Sequence, residues 1–485
     1  MTVDLLTLFY LSQPFVIAVG LALAVAAFGG AVLSRPVVPL ALYAAVYFVF
    51  AQSNYGSMDV FVANPIYARG TGQLFFPALC WTLLVMVAWA ALGRAFVAPP
   101  PAPPSPVRRV LVAWGVLLLL HLLVGLALDV PATEVLGSNG FMQMVWMLPL
   151  VQLMHWSGGD DDTLDTLGRM LVLAALAKAL FGLGRFAFFG GDPSNVYQNW
   201  GHLDVKLTYF DVCDSLVCLL GAAVAASTLF VAPSPRHGLP WRLLCALTLV
   251  LALACIVLSY RRTAWGGLVL AMAWLAWQMH HRVRWPALMV ALPVGVAAVG
   301  WVAAGRLSLQ AGSGSGVLGF FFDLVGSRYG PESSRLLELQ LAWKSFLDSP
   351  IVGLGSWGRY AGSQLIPWQR VAGGGFLHSG VLHLMLKAGL VGLLLLVALA
   401  WAYGRELRQA ATRQAPAARA LCLASGCGLL FMVPDLLFGT PVPQLRTMQM
   451  LALCLGLPGL VAAAVPALSA RRILPARPGL ATARR

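Results

Sequence analysis

The sequence predicts an all-α polytopic membrane protein of about 12–13 transmembrane helices, with one long extracytoplasmic loop that contains an amphipathic helix. Two observations carry that expectation. Mean hydropathy is +0.80, with 59% hydrophobic and only 10% charged residues, whereas a soluble domain carries about 25% charged residues. Apolar runs also recur along the chain at the length, about 20 residues, that takes a helix across the hydrocarbon core.

The spans read from the sequence are Pro14–Leu33, Pro36–Ala51, Leu74–Leu92, Val110–Leu128, Phe141–Met154, Leu167–Phe189 and Leu207–Val231, followed by Leu243–Tyr260, Thr263–Met279, Trp285–Ala303, Leu384–Tyr403, Ala418–Leu437 and Thr447–Val465. Residues 1–304 hold the first ten, residues 305–383 form the loop, and residues 384–485 hold the last three and a basic tail. The net charge of +14 is concentrated in short connectors such as APPPAPPSPVRR and RELRQAATRQAPAAR and in the tail. Alternating crossings put these connectors on one side, which the positive-inside rule makes the cytoplasm. Such a distribution belongs to loops between spans and not to a nucleic-acid-binding surface. Eight cysteines fall mostly inside apolar runs without CxxC spacing and read as packing residues. Asp4 stands where a cleavable signal peptide has its basic start, so none is expected.

Within the loop, PESSRLLELQLAWKSFLDSP has helical periodicity. Pro331 suits a first turn, Glu332 complements the helix dipole, and Ser349-Pro350 ends the helix. Leu336, Leu339, Trp343, Phe346 and Leu347 recur at helical spacing, with Arg335, Glu338 and Ser345 on the other side. The apolar face is expected to lie on the bilayer or the bundle, and the polar face to carry Arg335.

A charge in the middle of a span costs about 2.5–3.5 kcal/mol on insertion scales, so each needs a reason. Lys178 and Arg185 fall in the sixth span, Asp211 and Asp214 in the seventh, and Lys387 in the eleventh. Arg185, Asp211, Asp214 and Lys387 come within a few turns of the outer face, where Arg261 and Arg262 end the eighth span and where Arg335 and His378 arrive from the loop. Pairing of Arg185 with Asp211 or Asp214 would be structural glue. Convergence of the set at one depth instead suits an anionic ligand such as a lipid pyrophosphate, because arginine offers a permanent charge and a bidentate fork. Histidine, with an unperturbed pKa near about 6.5, suits proton removal from a hydroxyl near neutral pH.

The segment SRLLELQLAWKSFLDSPIVGLGSWG, followed by GGGFLHSGVLHLMLKAGLVGLLLL, resembles the signature of the O-antigen ligase and polymerase superfamily. The matching positions are Arg335 opening the loop helix, Trp343, Pro350, Gly353 with Gly355, His378 directly before an apolar span, and Gly389 with Gly392 in that span. The family usually has Asn where this chain has Ser379, and an acidic residue where it has Lys387.

The resemblance implies a glycosyltransferase of the bacterial inner membrane with its site facing the periplasm. It would move a glycan from an undecaprenyl-pyrophosphate carrier to a sugar hydroxyl on a glycolipid or glycan acceptor, with inversion and with no metal or other cofactor. His378 would be the base. Arg335 with Arg261 or Arg262 would bind pyrophosphate, with Arg185 and Lys387 as further candidates at that level and Asp211, Asp214 and Trp343 as structural or tuning residues. Adjacent residues at a helix end point about 100° apart, so only one of Arg261 and Arg262 is expected to face the site.

A polymerase of the same superfamily is the alternative, with an oligosaccharyltransferase behind it. A transporter of lipid-linked oligosaccharide would instead distribute charges through the whole depth and show an inverted repeat. Asp160-Asp161-Asp162 contains a DxD of metal-dependent enzymes but reads as a solvated turn.

Overall fold

The computed structural model describes residues 37–49, 76–97, 104–137, 139–192, 206–231, 237–279, 300, 331–366, 377–413 and 415–464, and these form helices and turns with no strand among them. The expected spans Pro14–Leu33 and Trp285–Ala303, the runs 305–330 and 367–376 of the loop, and the tail after 464 lie outside the described residues.

The helices are α1 (Val37–Val49), α2 (Ala78–Val97), α3 (Pro106–Ala127), three short ones, α4 (Ala132–Val135), α5 (Met142–Val145) and α6 (Met147–Trp156), then α7 (Asp161–Phe188), α8 (Val212–Ala226, continued by a π-turn over Ser227–Val231), α9 (Leu239–Val257), α10 (Arg262–Met279), α11 (Pro331–Asp348), α12 (Gly380–Ala411), α13 (Pro416–Phe438) and α14 (Leu445–Ala463). Among the described residues, seven helices are long and apolar enough to cross a membrane. Their starts are encoded locally. Ser105 caps α3 ahead of Pro106, accepting from Arg108 N–H at 3.1 Å. Asp160 caps α7, accepting from Thr163 N–H at 2.9 Å, so the acidic triplet is a helix start.

The bundle has a centre and a rim. In α8 and α14 the apolar stretch is 89% and 83% buried, against 22% for α3 and 28% for α7. Apolar side chains on the rim helices, such as Leu119, Leu123 and Val124 of α3, are exposed, as lipid-facing residues must be. Small residues set the close approaches. A Cβ on Gly267 of α10 would fall 2.9 Å from the backbone carbon of Phe431 on α13.

One expectation needs correction. Phe141–Met154 is not one helix: it is interrupted at Trp146 into α5 and α6, and α6 is only about 15 Å long at 1.5 Å per residue. The interrupted segment begins just before α5, beside Gly140, whose carbonyl faces His383 at 3.2 Å. It ends near Gly158, which packs on Ala463 at the far end of α14. The loop helix α11 buries part of both faces. Glu338 and Ser345 are buried with Ala342 and Phe346, while Leu337, Trp343 and Leu347 are exposed.

Candidate active site at one end of the bundle

A tight corner delivers the first two arginines. Helix α9 stops at Val257, and the turn that follows is tied down by Ser259 Oγ–H to Ile256 O (2.7 Å) and by Trp265 Nε1–H to Val257 O (2.9 Å). Tyr260 takes a left-handed conformation, φ 52°, which is uncommon for a bulky residue and marks a constrained position. Arg261 lies before the helix and Arg262 is its first residue, so the 100° rule for neighbours on one helix does not apply. Both line the same cavity, which corrects the expectation that only one would.

The loop helix supplies the next pair. Arg335 and Glu338 are three apart on α11, hence on one face. Glu338 is 0% exposed and holds His378 twice: its Oε1 accepts the backbone N–H at 2.8 Å, and its Oε2 lies 2.9 Å from Nδ1. A carboxylate acceptor fixes the ring proton on Nδ1 and leaves Nε2 as the basic nitrogen. Ser379, where the family usually has Asn, caps α12 and accepts from Leu382 N–H at 3.3 Å. Both residue types serve at an N-cap, so this departure keeps the local geometry behind His378.

Arg261, Arg262, Arg335 and His378 thus meet in one cavity of about 140 Å³ that is open to solvent. Its other walls are the start of α8, with Phe210 and Asp211, and the corner between α13 and α14, with Asp435, Phe438, Thr440 and Gln444. The Arg261 guanidinium stacks 4.9 Å over the Phe210 ring and acts electrostatically on both Asp211 and Asp435. Asp211 caps α8 through Cys213 N–H (2.9 Å) and accepts from Arg446 (2.9 Å). Burial pushes the Asp211 carboxyl upward, but Arg446, the Cys213 amide and Arg261 outweigh it and hold the group below the ordinary carboxylate range.

The remaining candidates lie elsewhere. Arg185 pairs with Asp192 (3.1 Å), not with Asp211 or Asp214, and donates to Thr208 O. Asp214 sits deeper, between Lys178 (2.8 Å) and Arg446. Lys387 is buried and donates to Gly358 O. Trp343 is exposed against Phe346, ring centroids 5.2 Å apart. None of these four lines the cavity with the three arginines.

The glycine motif belongs to a joint between loop and span. Helix α12 leaves helical geometry at Gly389 (φ 62°, ψ −153°), and Pro350–Leu354 closes the gap. Leu390 N–H donates to Pro350 O (2.8 Å), Val391 N–H to Ile351 O (3.2 Å), and Leu354 N–H to Leu386 O (2.8 Å). A Cβ on Gly353 (φ 72°) would fall 2.6 Å from Ala388 N. Ser356 then ties the loop to the neighbouring elements, donating its N–H to His121 Nδ1 (3.0 Å) and its hydroxyl to Val135 O (2.7 Å).

Three residues escape the sequence reading. Glu338 is masked as one more polar position on a surface helix, although its i, i+3 spacing to Arg335 is visible. Asp435 lies inside the expected span Ala418–Leu437 and meets the same intramembrane-charge criterion that singles out Lys387. Arg446 falls one residue outside the expected span Thr447–Val465. Among the described residues no three His, Cys, Asp or Glu side chains form a group able to hold a metal.

Residues 247–397 match a family model described as O-Antigen ligase, a segment that runs from α9 into α12 and holds Arg261, Arg262, Arg335 and His378. No curated protein matches the chain.

Proposed function

We propose, from the membership of the O-antigen ligase superfamily that this match supports, that the cavity of this membrane glycosyltransferase is where a glycan passes from undecaprenyl pyrophosphate to an acceptor sugar hydroxyl. The reading is of a ligase in the bacterial inner membrane whose cavity faces the periplasm. The observation that carries it is the meeting of three arginines with a carboxylate-held histidine. Arg261, Arg262 and Arg335 would take the two phosphates, since guanidinium forks match phosphate oxygens and keep their charge in a partly desolvated site.

His378 Nε2 would take the acceptor proton while the hydroxyl oxygen attacks the anomeric carbon. The bond from that carbon to the phosphate oxygen breaks, and the electron pair leaves on the pyrophosphate. Arginines aimed at the leaving group stabilise the charge that grows there, so the step needs no divalent ion and inverts the anomeric centre. Glu338 orients the ring and stabilises the imidazolium that forms.

The test is the protein in nanodiscs with lipid-linked donor, scoring donor binding and single-turnover transfer separately. His378→Ala should bind donor and fail to transfer, and turnover that EDTA abolishes and manganese restores would overturn the metal-free route. Lipids extracted from a deletion strain should contain long carrier-linked chains; single repeat units accumulating there would make the enzyme a polymerase.

A further inference from the structure

The joint at Gly389 places irregular backbone inside the span of α12. At the end of the bundle away from the cavity, Ser105 Oγ and Val107 N–H both bond Glu406 Oε1, so the start of α3 and the end of α12 lie level. From that contact Gly389 is about 25 Å along α12, whereas α3 continues to about 33 Å at Ala127, at 1.5 Å per residue. The joint therefore lies below the outer end of a helix whose exposed residues at that height, Leu123 and Val124, are apolar.

Backbone away from helix is tolerated at such depth where its polar groups are satisfied internally. The carbonyls of Pro350, Ile351 and Gly353 and the amides of Gly353 and Leu354 have such partners here: beyond the three bonds that close the gap, Gly353 N–H donates to Ser349 O (3.0 Å) and Ser349 Oγ–H to Gly353 O (2.8 Å). The side chains at the tip are nevertheless large, apolar and uncovered. Ile351 is 66% exposed and Val352 58%, and they adjoin the exposed Leu390 and Leu394 of α12.

We propose that Pro350–Gly353 is a re-entrant loop whose Ile351 and Val352 are solvated by the hydrocarbon of the leaflet on the cavity side, continuing the lipid-facing stripe of α12. Exposed Lys344 and Asp348 mark the headgroup level just above, where Trp343 sits as interfacial tryptophans do. The loop helix is thus anchored in the membrane from below, independently of what reaction the cavity carries out.

Spin labels on Ile351→Cys and on Lys344→Cys in nanodiscs measure this directly, with the unsubstituted protein as the blank for its buried native cysteines. The expected result is a label at Ile351 relaxed several-fold more by oxygen than by a water-soluble nickel chelate, and the reverse at Lys344. Val352→Cys reads the same surface if Ile351→Cys does not give monodisperse protein. Nickel access at Ile351 equal to that at Lys344 puts the loop in water and overturns the proposal. Access by neither probe means that protein, such as a second copy of the chain, covers the tip, and overturns it as well.

Discussion

Two sets of arginines stand at the same end of this bundle in different surroundings. Arg446 and Arg185 are met by carboxylates of the protein itself: Arg446 by Asp211 and Asp214, Arg185 by Asp192. Arg261, Arg262 and Arg335 instead line an open cavity with His378, in whose walls Asp211 and Asp435 also stand. The difference teaches that an intramembrane charge points to a site only when its depth and its surroundings are read together. Depth alone groups Arg185 and Lys387 with the cavity; their partners remove them from it.

The sharpest way to break that contrast is chemical. His378→Ala should lower single-turnover transfer by about 10²–10⁴-fold with donor binding nearly intact, the usual range for loss of a general base. Glu338→Gln keeps the shape and loses the charge, so transfer should fall within the same range but less than for His378→Ala. Wild-type transfer in either variant would return the pair to a structural role.

Affinity and stability should divide the arginines next. Arg335→Lys should weaken donor binding, and Arg335→Ala should weaken it further, because lysine keeps the charge and loses the fork. Arg446→Leu leaves Asp211 and Asp214 without their common partner and should cost about 3–5 kcal/mol of stability, as broken buried pairs do. Thermal unfolding in detergent reads that loss. Arg185→Gln should lower the unfolding temperature without changing donor affinity, and a donor-binding defect at unchanged stability would put Arg185 back into the site.

A subtler contrast lies in acid. The folded-state pKa of Asp211 is lowered, so its contribution to stability is present above the ordinary aspartate range, near about 4, and is lost as pH falls through the folded value. Asp211→Asn should therefore be less stable than the wild type at neutral pH, with the difference shrinking at pH values below that range. Smallest of all, Asp160→Ala removes only an exposed helix cap and should cost about 0.5–2 kcal/mol with activity unchanged.

How much of this was legible in the sequence follows from what each signal measures. Apolar run length locates helices because it counts the residues that face lipid or core, and it found α8 to α10, α13 and α14 closely, while α7 starts before and α12 runs beyond the expected span. It fails at α5 and α6, where one apolar run contains a turn at Trp146 that no hydropathy value reports. The residues proposed for the site, Arg261, Arg262, Arg335 and His378, were visible as polar groups converging at a common depth. Their partners were not, because Glu338 and Arg446 owe their roles to contacts across 40 and 232 or more residues of chain. The polar face of α11 was legible in composition, but amphipathicity does not say which of its polar residues are buried: Glu338 and Ser345 are, whereas Lys344 and Asp348 are exposed.

The break at Gly389 has a consequence for how such a sequence can drift. In an unbroken helix, every residue added or lost turns all that follows by about 100°. At Gly389 the loop supplies acceptors for the next two amides, so the segment that starts behind His378 and the long span below it are separately registered. Length changes in the span below the joint can reset which side chains meet lipid without rotating the histidine.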